Sequence, residues 1–175
     1  MNKFAFTFVA ATAAVSFASV AHADTATPAT PTSIRLGAFF PSNGSDKTLG
    51  GKTQIAVGIG YALPTTVSSG QAALGVYFDY NGGNKNGGKV QVLGLGVDAR
   101  TIAVGTAPYF GAGLGVYSAK VNDTLTSSTK TGIGGKVFAG VNFSPTFFGE
   151  VDYRLTPKTN GVETSGFVAQ VGTRF

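Results

Sequence analysis

From Ser33 to Phe175, apolar residues return at every second position in eight separate stretches. A period of two puts alternate side chains on opposite faces of an extended chain, so each stretch reads as a β-strand with two different environments. The expected strands are Ser33–Phe40, Lys52–Leu63, Gln71–Tyr80, Lys89–Ile102, Pro108–Ala119, Thr131–Phe143, Thr146–Leu155 and Thr164–Phe175. The second shows the pattern well: Ile55, Val57, Ile59, Tyr61 and Leu63 share one face. So does the last, where Phe167, Ala169, Val171, Thr173 and Phe175 alternate with Val168, Gln170, Gly172 and Arg174. Strands of about 10 residues have the length a tilted strand needs to cross a bilayer core.

The connectors alternate as well. Pro41–Gly51, Asn81–Gly88, Lys120–Lys130 and Thr156–Glu163 read as longer polar loops, and Pro64–Gly70, Ala103–Ala107 and Ser144-Pro145 as shorter turns. An even number of strands with loops on one side and turns on the other suits antiparallel closure, which leaves no exposed strand edge.

The opposite face of the strands is unusual. It is dominated by Gly, for example Gly58, Gly60, Gly75, Gly94, Gly113 and Gly134, interspersed with Phe39, Tyr77, Tyr109, Tyr117, Phe138 and Phe148. A water-facing strand surface carries Thr, Lys, Glu and Ser. Glycine beside bulky rings fits a narrow lumen, where each ring needs space opposite it. The apolar face therefore points outward, and a secreted β-sandwich or lipocalin-like barrel, with its apolar face inward, is the disfavoured alternative. Phe40, Tyr61, Phe78, Tyr80, Phe110, Phe143, Phe147 and Phe175, near strand ends, are expected to form two interfacial girdles.

The chain before the strands has other jobs. Lys3, the apolar run Phe4–Val20 and Ala21-His22-Ala23 have the layout of an export signal over residues 1–23, and the mature chain is expected to begin at Asp24. Residues 24–32 (DTATPATPT) have no apolar period and are expected to form a disordered Thr/Pro tether, followed by one domain over 33–175. No later stretch has the length of a membrane-spanning helix.

Composition removes several kinds of chemistry. There is no Cys, and the one His, His22, leaves with the signal. The net charge of +5, which becomes +4 without Lys3, comes from scattered loop lysines rather than a basic stripe, so no nucleic-acid partner is expected. Surface electrostatics favour contact with an anionic lipid layer instead.

Taken with the segment Phe147-Phe148-Gly149-Glu150-Val151-Asp152-Tyr153-Arg154 and the terminal strand ending in Phe175, this architecture resembles the small bacterial outer-membrane β-barrel superfamily, the OmpA transmembrane-domain, OmpX and OmpW-like group. The resemblance covers residues 33–175. It implies an all-β, eight-stranded, antiparallel up-and-down transmembrane β-barrel in the cell outer membrane, monomeric, with both termini periplasmic. It also implies an insertion signal at Phe167, Val171 and Phe175, read by the barrel-assembly machinery, and contact with outer-membrane lipid and lipopolysaccharide. No peptidoglycan-binding domain of the OmpA kind is expected after the barrel.

Within such a barrel the inward face carries Arg35, Asp79, Asp98, Arg100, Lys136, Glu150, Asp152, Arg154 and Arg174. Eight strands enclose only enough space for side chains to fill, and charges there must pair. The expected network plugs the lumen, with Lys136 beside Asp152 across the Ser144-Pro145 turn and Arg35 and Arg174 near the periplasmic rim. A water-threaded conduit for small solutes, or an aromatic-lined route for apolar ones, is the alternative.

Catalysis finds little support. Serine hydrolase chemistry needs an imidazole base, and none remains after the signal. Glu150 and Asp152 lie two apart on one face, but neighbouring Lys136 and Arg154 favour an ion network over acid–base work. Gly51-Lys52-Thr53 matches the end of a phosphate-binding loop only superficially, because Asp46 stands where the leading Gly belongs. No cofactor or metal site is expected. The expected function is structural or surface-interactive (membrane integrity, adhesion). A narrow channel comes second, and a lipid-A-modifying enzyme is a distant third.

Overall fold

A computed structural model describes residues 30–67, 72–102, 106–123, 126–159 and 161–175. The expected signal and residues 24–29 of the expected tether lie outside them, and Thr32, the tether's last residue, is already strand. Eight strands form one closed barrel: β1 (Thr32–Pro41), β2 (Gln54–Val67), β3 (Ala72–Lys85), β4 (Gly88–Thr101), β5 (Pro108–Asn122), β6 (Ser127–Asn142), β7 (Phe147–Leu155) and β8 (Gly166–Arg174). Every neighbouring pair is antiparallel, and β8 closes on β1. The last residue completes the seam: Thr32 N–H donates to the Phe175 carbonyl at 3.2 Å, and Phe175 N–H donates to the Thr32 carbonyl at 3.0 Å.

The register shows how the barrel is staggered. From Ala38, partners run through Ile55, Gly82, Gln91 and Lys120 to Thr129 on β6. In the other direction they run through Ala169 and Val151 to Ala139 on the same strand, ten residues away. For eight strands that stagger corresponds to a tilt of roughly 40°.

The two faces separate as the alternation requires. Leu36, Ile55, Leu95, Leu114, Ile133, Val151 and Val171 are exposed on the outside. Phe39, Tyr77, Tyr109, Tyr117, Phe138 and Phe148 are buried inside. A large apolar surface of this kind on the outside of a closed sheet is stable only in a nonaqueous solvent. Of the expected girdle residues, Tyr80 is half-buried and the other seven are exposed; Tyr153 and Phe167, ring centroids 4.7 Å apart, join them.

Two loop expectations are corrected. Asn81–Gly88 is not a loop: β3 runs on to Lys85 and β4 begins at Gly88. Asn86 (φ 53°) and Gly87 (φ 79°) make a two-residue turn, the left-handed pair that a tight hairpin requires. Lys120–Lys130 is likewise mostly strand, leaving residues 123–126 as the connection. The third difference is a short helix, α1 (Gly44–Leu49), inside the expected first loop. Asn43 caps it, its side-chain oxygen accepting from Ser45 N–H at 2.8 Å. Six residues are too few to display a helical period.

Candidate functional site

Among the described residues, buried charged side chains converge in the lumen, where they are arranged in layers. Asp79 on β3 is the centre. Its carboxylate meets Arg35 Nη2 (3.3 Å), Arg154 Nη2 (3.3 Å) and Lys136 Nζ (3.0 Å), which come from β1, β7 and β6. Arg35 also reaches Glu150 (3.0 Å), and Lys136 lies 3.9 Å from Asp98 on β4. Arg154 Nε donates to Asp152 at 2.9 Å. Burial this complete makes each pairing matter, because a charge left alone there costs several kcal/mol or more.

The network takes in residues that carry no charge. Gln170 Nε2 on β8 donates to Glu150 (2.9 Å) and Asp152 (3.0 Å), and Tyr109 on β5 donates to Glu150 (3.1 Å). Seven of the eight strands thus contribute. The eighth, β2, contributes space: a Cβ on Gly58 would lie 2.8 Å from Arg35 Nε and 2.9 Å from Asp79 Oδ1.

Seven of the nine expected charges join this cluster. Arg174 and Arg100 do not. Arg174 sits nearer the termini, over the Phe148 ring (4.2 Å) and donating to Asn142 Oδ1 (2.9 Å). Tyr109, Phe138 and Phe148 form a buried aromatic layer there. Arg100 is half-buried opposite Gly111 and makes no ion pair among the described residues. The expected Lys136–Asp152 pair is also corrected. The register puts Lys136 opposite Arg154 and Asp152 opposite Phe138. The two cations share Asp79 from opposite carboxylate oxygens, Lys136 at Oδ2 and Arg154 at Oδ1, and Arg154 also folds back onto Asp152. The Lys136 ammonium also lies 3.6 Å from the Tyr77 ring centre, a cation–π contact. The Tyr77 and Tyr117 hydroxyls meet at 3.0 Å.

The loop end is closed by its own connections. Leu49 of α1 packs against Val90, Val121 and Val162, joining the β1–β2 and β7–β8 loops over the mouth. Gly88 permits the contact, since a Cβ there would lie 2.8 Å from Leu49 Cδ2. Under α1, Asp46 is fully buried and its Oδ1 accepts from Gln54 Nε2 at 2.6 Å. Asp46 Oδ2 and Gln54 Oε1 have no hydrogen-bond partner among the described residues. Burial without a nearby cation raises the Asp46 carboxyl to about 6, against the smaller opposing pull of the Gln54 hydrogen bond. Sequence reading missed this pair because α1 itself is not visible there.

Phe167, Val171 and Phe175 are all exposed on the outer face, aligned along β8. Among the described residues, no three His, Cys, Asp or Glu side chains gather as they would around a metal ion.

A closed eight-stranded barrel, apolar outside and charged inside, calls for a nonaqueous solvent around it. Residues 10–175 match the family model described as outer membrane protein beta-barrel domain. The chain belongs to that family. No curated protein sequence matches it significantly. Among solved structures, this outer-membrane barrel is similar to Neisserial surface protein A, with a TM-score of 0.59 and 18% identity over 82% of this chain and 96% of the other. It is also similar to the attachment invasion locus protein Ail of Yersinia pestis, with a TM-score of 0.51 and 15% identity over 83% and 99%. At these identities the likeness is one of fold.

Proposed function

We propose that this outer-membrane barrel is a non-enzymatic membrane scaffold that works through its outer surface, in envelope integrity or adhesion. One observation carries this reading: buried side chains occupy the described interior at three levels. The ion network occupies the middle, the Tyr109–Phe138–Phe148 layer lies toward the termini, and Leu49 with Val162 covers the opposite mouth. An interior occupied in this way leaves the loops and the outer wall as the surfaces available to a partner. With α1 and the β7–β8 loop facing the medium, both termini are periplasmic. Ail of Yersinia pestis has been solved in complex with the heparin analogue sucrose octasulfate, which agrees with a surface role here. The expected insertion signal at Phe167, Val171 and Phe175 belongs to the same reading, with the assembly machinery as its partner and the monomer as its working state.

Planar-bilayer recording tests the proposal. A plugged barrel gives no stable single-channel openings. Steady, reproducible conductance would overturn the reading in favour of a solute channel.

A further inference from the structure

At the loop end, β6 outruns the strand beside it. β7 stops at Leu155, opposite Gly135, whereas β6 reaches back to Ser127 paired with β5 alone. Pro157 ends the ladder. Counted on in register it falls opposite Ile133, and it has no N–H to give. The chain turns inward there. A Cβ on Gly132 would lie 3.1 Å from Pro157 Cβ, the Thr159 hydroxyl donates to the Ala119 carbonyl at 3.4 Å, and Val162 packs on Val90 and Val121. The β7–β8 loop thus covers the mouth and leaves the edge of β6 bare.

Residue parity tells which groups line that edge. Phe143 N–H donates to the Phe147 carbonyl at 2.9 Å, so odd-numbered β6 residues turn their amides toward β7. Asp123 N–H donates to the Thr126 carbonyl at 2.8 Å, so even-numbered ones face β5. Thr129, Thr131 and Ile133 therefore present N–H and C=O along the edge, and none of these backbone groups is hydrogen-bonded among the described residues. Thr129, Lys130 and Thr131 are exposed. Ile133 is 84% exposed, more than any other large apolar side chain among the described residues, as befits a strand with a neighbour on one side only. Two residues along a strand tilted by roughly 40° rise about 5 Å. Ile133 is the last apolar residue of β6 on the outer face, so Ser127 stands about 15 Å above it, beyond the headgroup layer.

A bare edge of this kind pairs with another extended chain. Charge decides which. Residues 127–134 carry Lys130 and no carboxylate, and Lys120 adjoins Thr129 on β5. A second copy of this edge would set lysine against lysine. We propose that the β6 edge from Ser127 to Ile133 is a docking site for an extended, acidic segment of a partner protein, which adds antiparallel to β6 as a further strand. Its backbone meets Thr129, Thr131 and Ile133, and a carboxylate stands opposite Lys130. The proposal deepens the surface role given under Proposed function and rests on the orientation stated there, which puts this edge outside the cell.

The test uses the full refolded chain in zwitterionic detergent and the peptide acetyl-TVTETVT-amide, which sets its Glu opposite Lys130 and Thr opposite Thr129 and Thr131. Saturable binding is expected. N-methylation of the two Thr that flank Glu, whose amides face β6, lowers affinity about tenfold or more. N-methylation of the two Val, whose amides face away, leaves it unchanged. Lys130→Gln weakens binding by up to about fivefold, and has no effect when the peptide carries Gln in place of Glu. Equal affinity of the two N-methylated peptides overturns the edge, as does a wild-type chain that does not bind the peptide. A wild-type dimer that the peptide splits into monomers gives the edge to a second copy and overturns the partner. Fluorescent peptide on intact cells separates this proposal from the reading it rests on. Binding in detergent, with cells labelled only after the outer membrane is permeabilised, overturns the orientation and leaves the pairing at the edge intact.

Discussion

Among the described residues, more cations meet at Asp79 than at any other carboxylate, three from three strands. Asp79→Ala leaves Arg35, Lys136 and Arg154 competing for the remaining acids. A loss of about 3–5 kcal/mol is expected for a broken buried pair, read as a lower urea midpoint of the refolded barrel. The choice of partner is testable separately. In double-mutant cycles, Lys136 couples more strongly to Asp79 than to Asp152; equal coupling would restore the pairing expected across the β6–β7 turn. The inward side of each residue was readable from parity alone, for Lys136 as for Tyr77. Its partner was not, because parity specifies a face and says nothing of the distance across a lumen. Gln170 shows the same limit: the alternation placed it inside, but only the closed barrel brings it between Glu150 and Asp152.

At the scale of single elements, α1 behaves as a latch with its own pH dependence. The Asp46 carboxyl is raised in the folded state to about 6 from its ordinary 3.8. The folded loop therefore binds a proton that the unfolded loop does not between those values, and stability falls as pH rises from about 4 through 6. When protonated, Oδ2–H can donate to Gln54 Oε1 while Gln54 Nε2 donates to Oδ1, so both unpartnered oxygens are satisfied together. Hydrogen exchange at the Gly50 amide, which donates to the Asp46 carbonyl at 2.7 Å, should show more protection at pH 5 than at pH 7.5 after correction for intrinsic rate. Asp46→Asn keeps the paired geometry without the charge and should give the higher protection at both values. Protection independent of pH in the wild type would contradict the latch. The hairpins teach a different lesson. Asn86-Gly87 was legible as turn chemistry, but the polar residues flanking it looked like loop because strands that leave the membrane exchange apolar outer residues for Lys89, Gln91 and Thr129 and remain strands.

For the whole molecule, closure is the central event. Phe175 supplies both reciprocal hydrogen bonds with Thr32 at the seam and an exposed ring at the end of β8. Deleting Phe175 should lower the fraction of chain that migrates as the compact, unboiled form in outer-membrane preparations; normal assembly would remove the terminal residue from the insertion signal.

The sequence by itself determined the number of strands, the face each side chain takes, the membrane as solvent for the apolar face, and the glycines set opposite bulky rings. All of these follow from a period of two, which is a local property of an extended chain. Only the tertiary structure decided that Asp79 is the hub, that Arg100 and Arg174 stand apart from it, and that Leu49 and Val162 close the mouth. Those contacts join strands far apart in sequence, and their geometry comes from the ten-residue stagger of the closed sheet, which no single strand encodes.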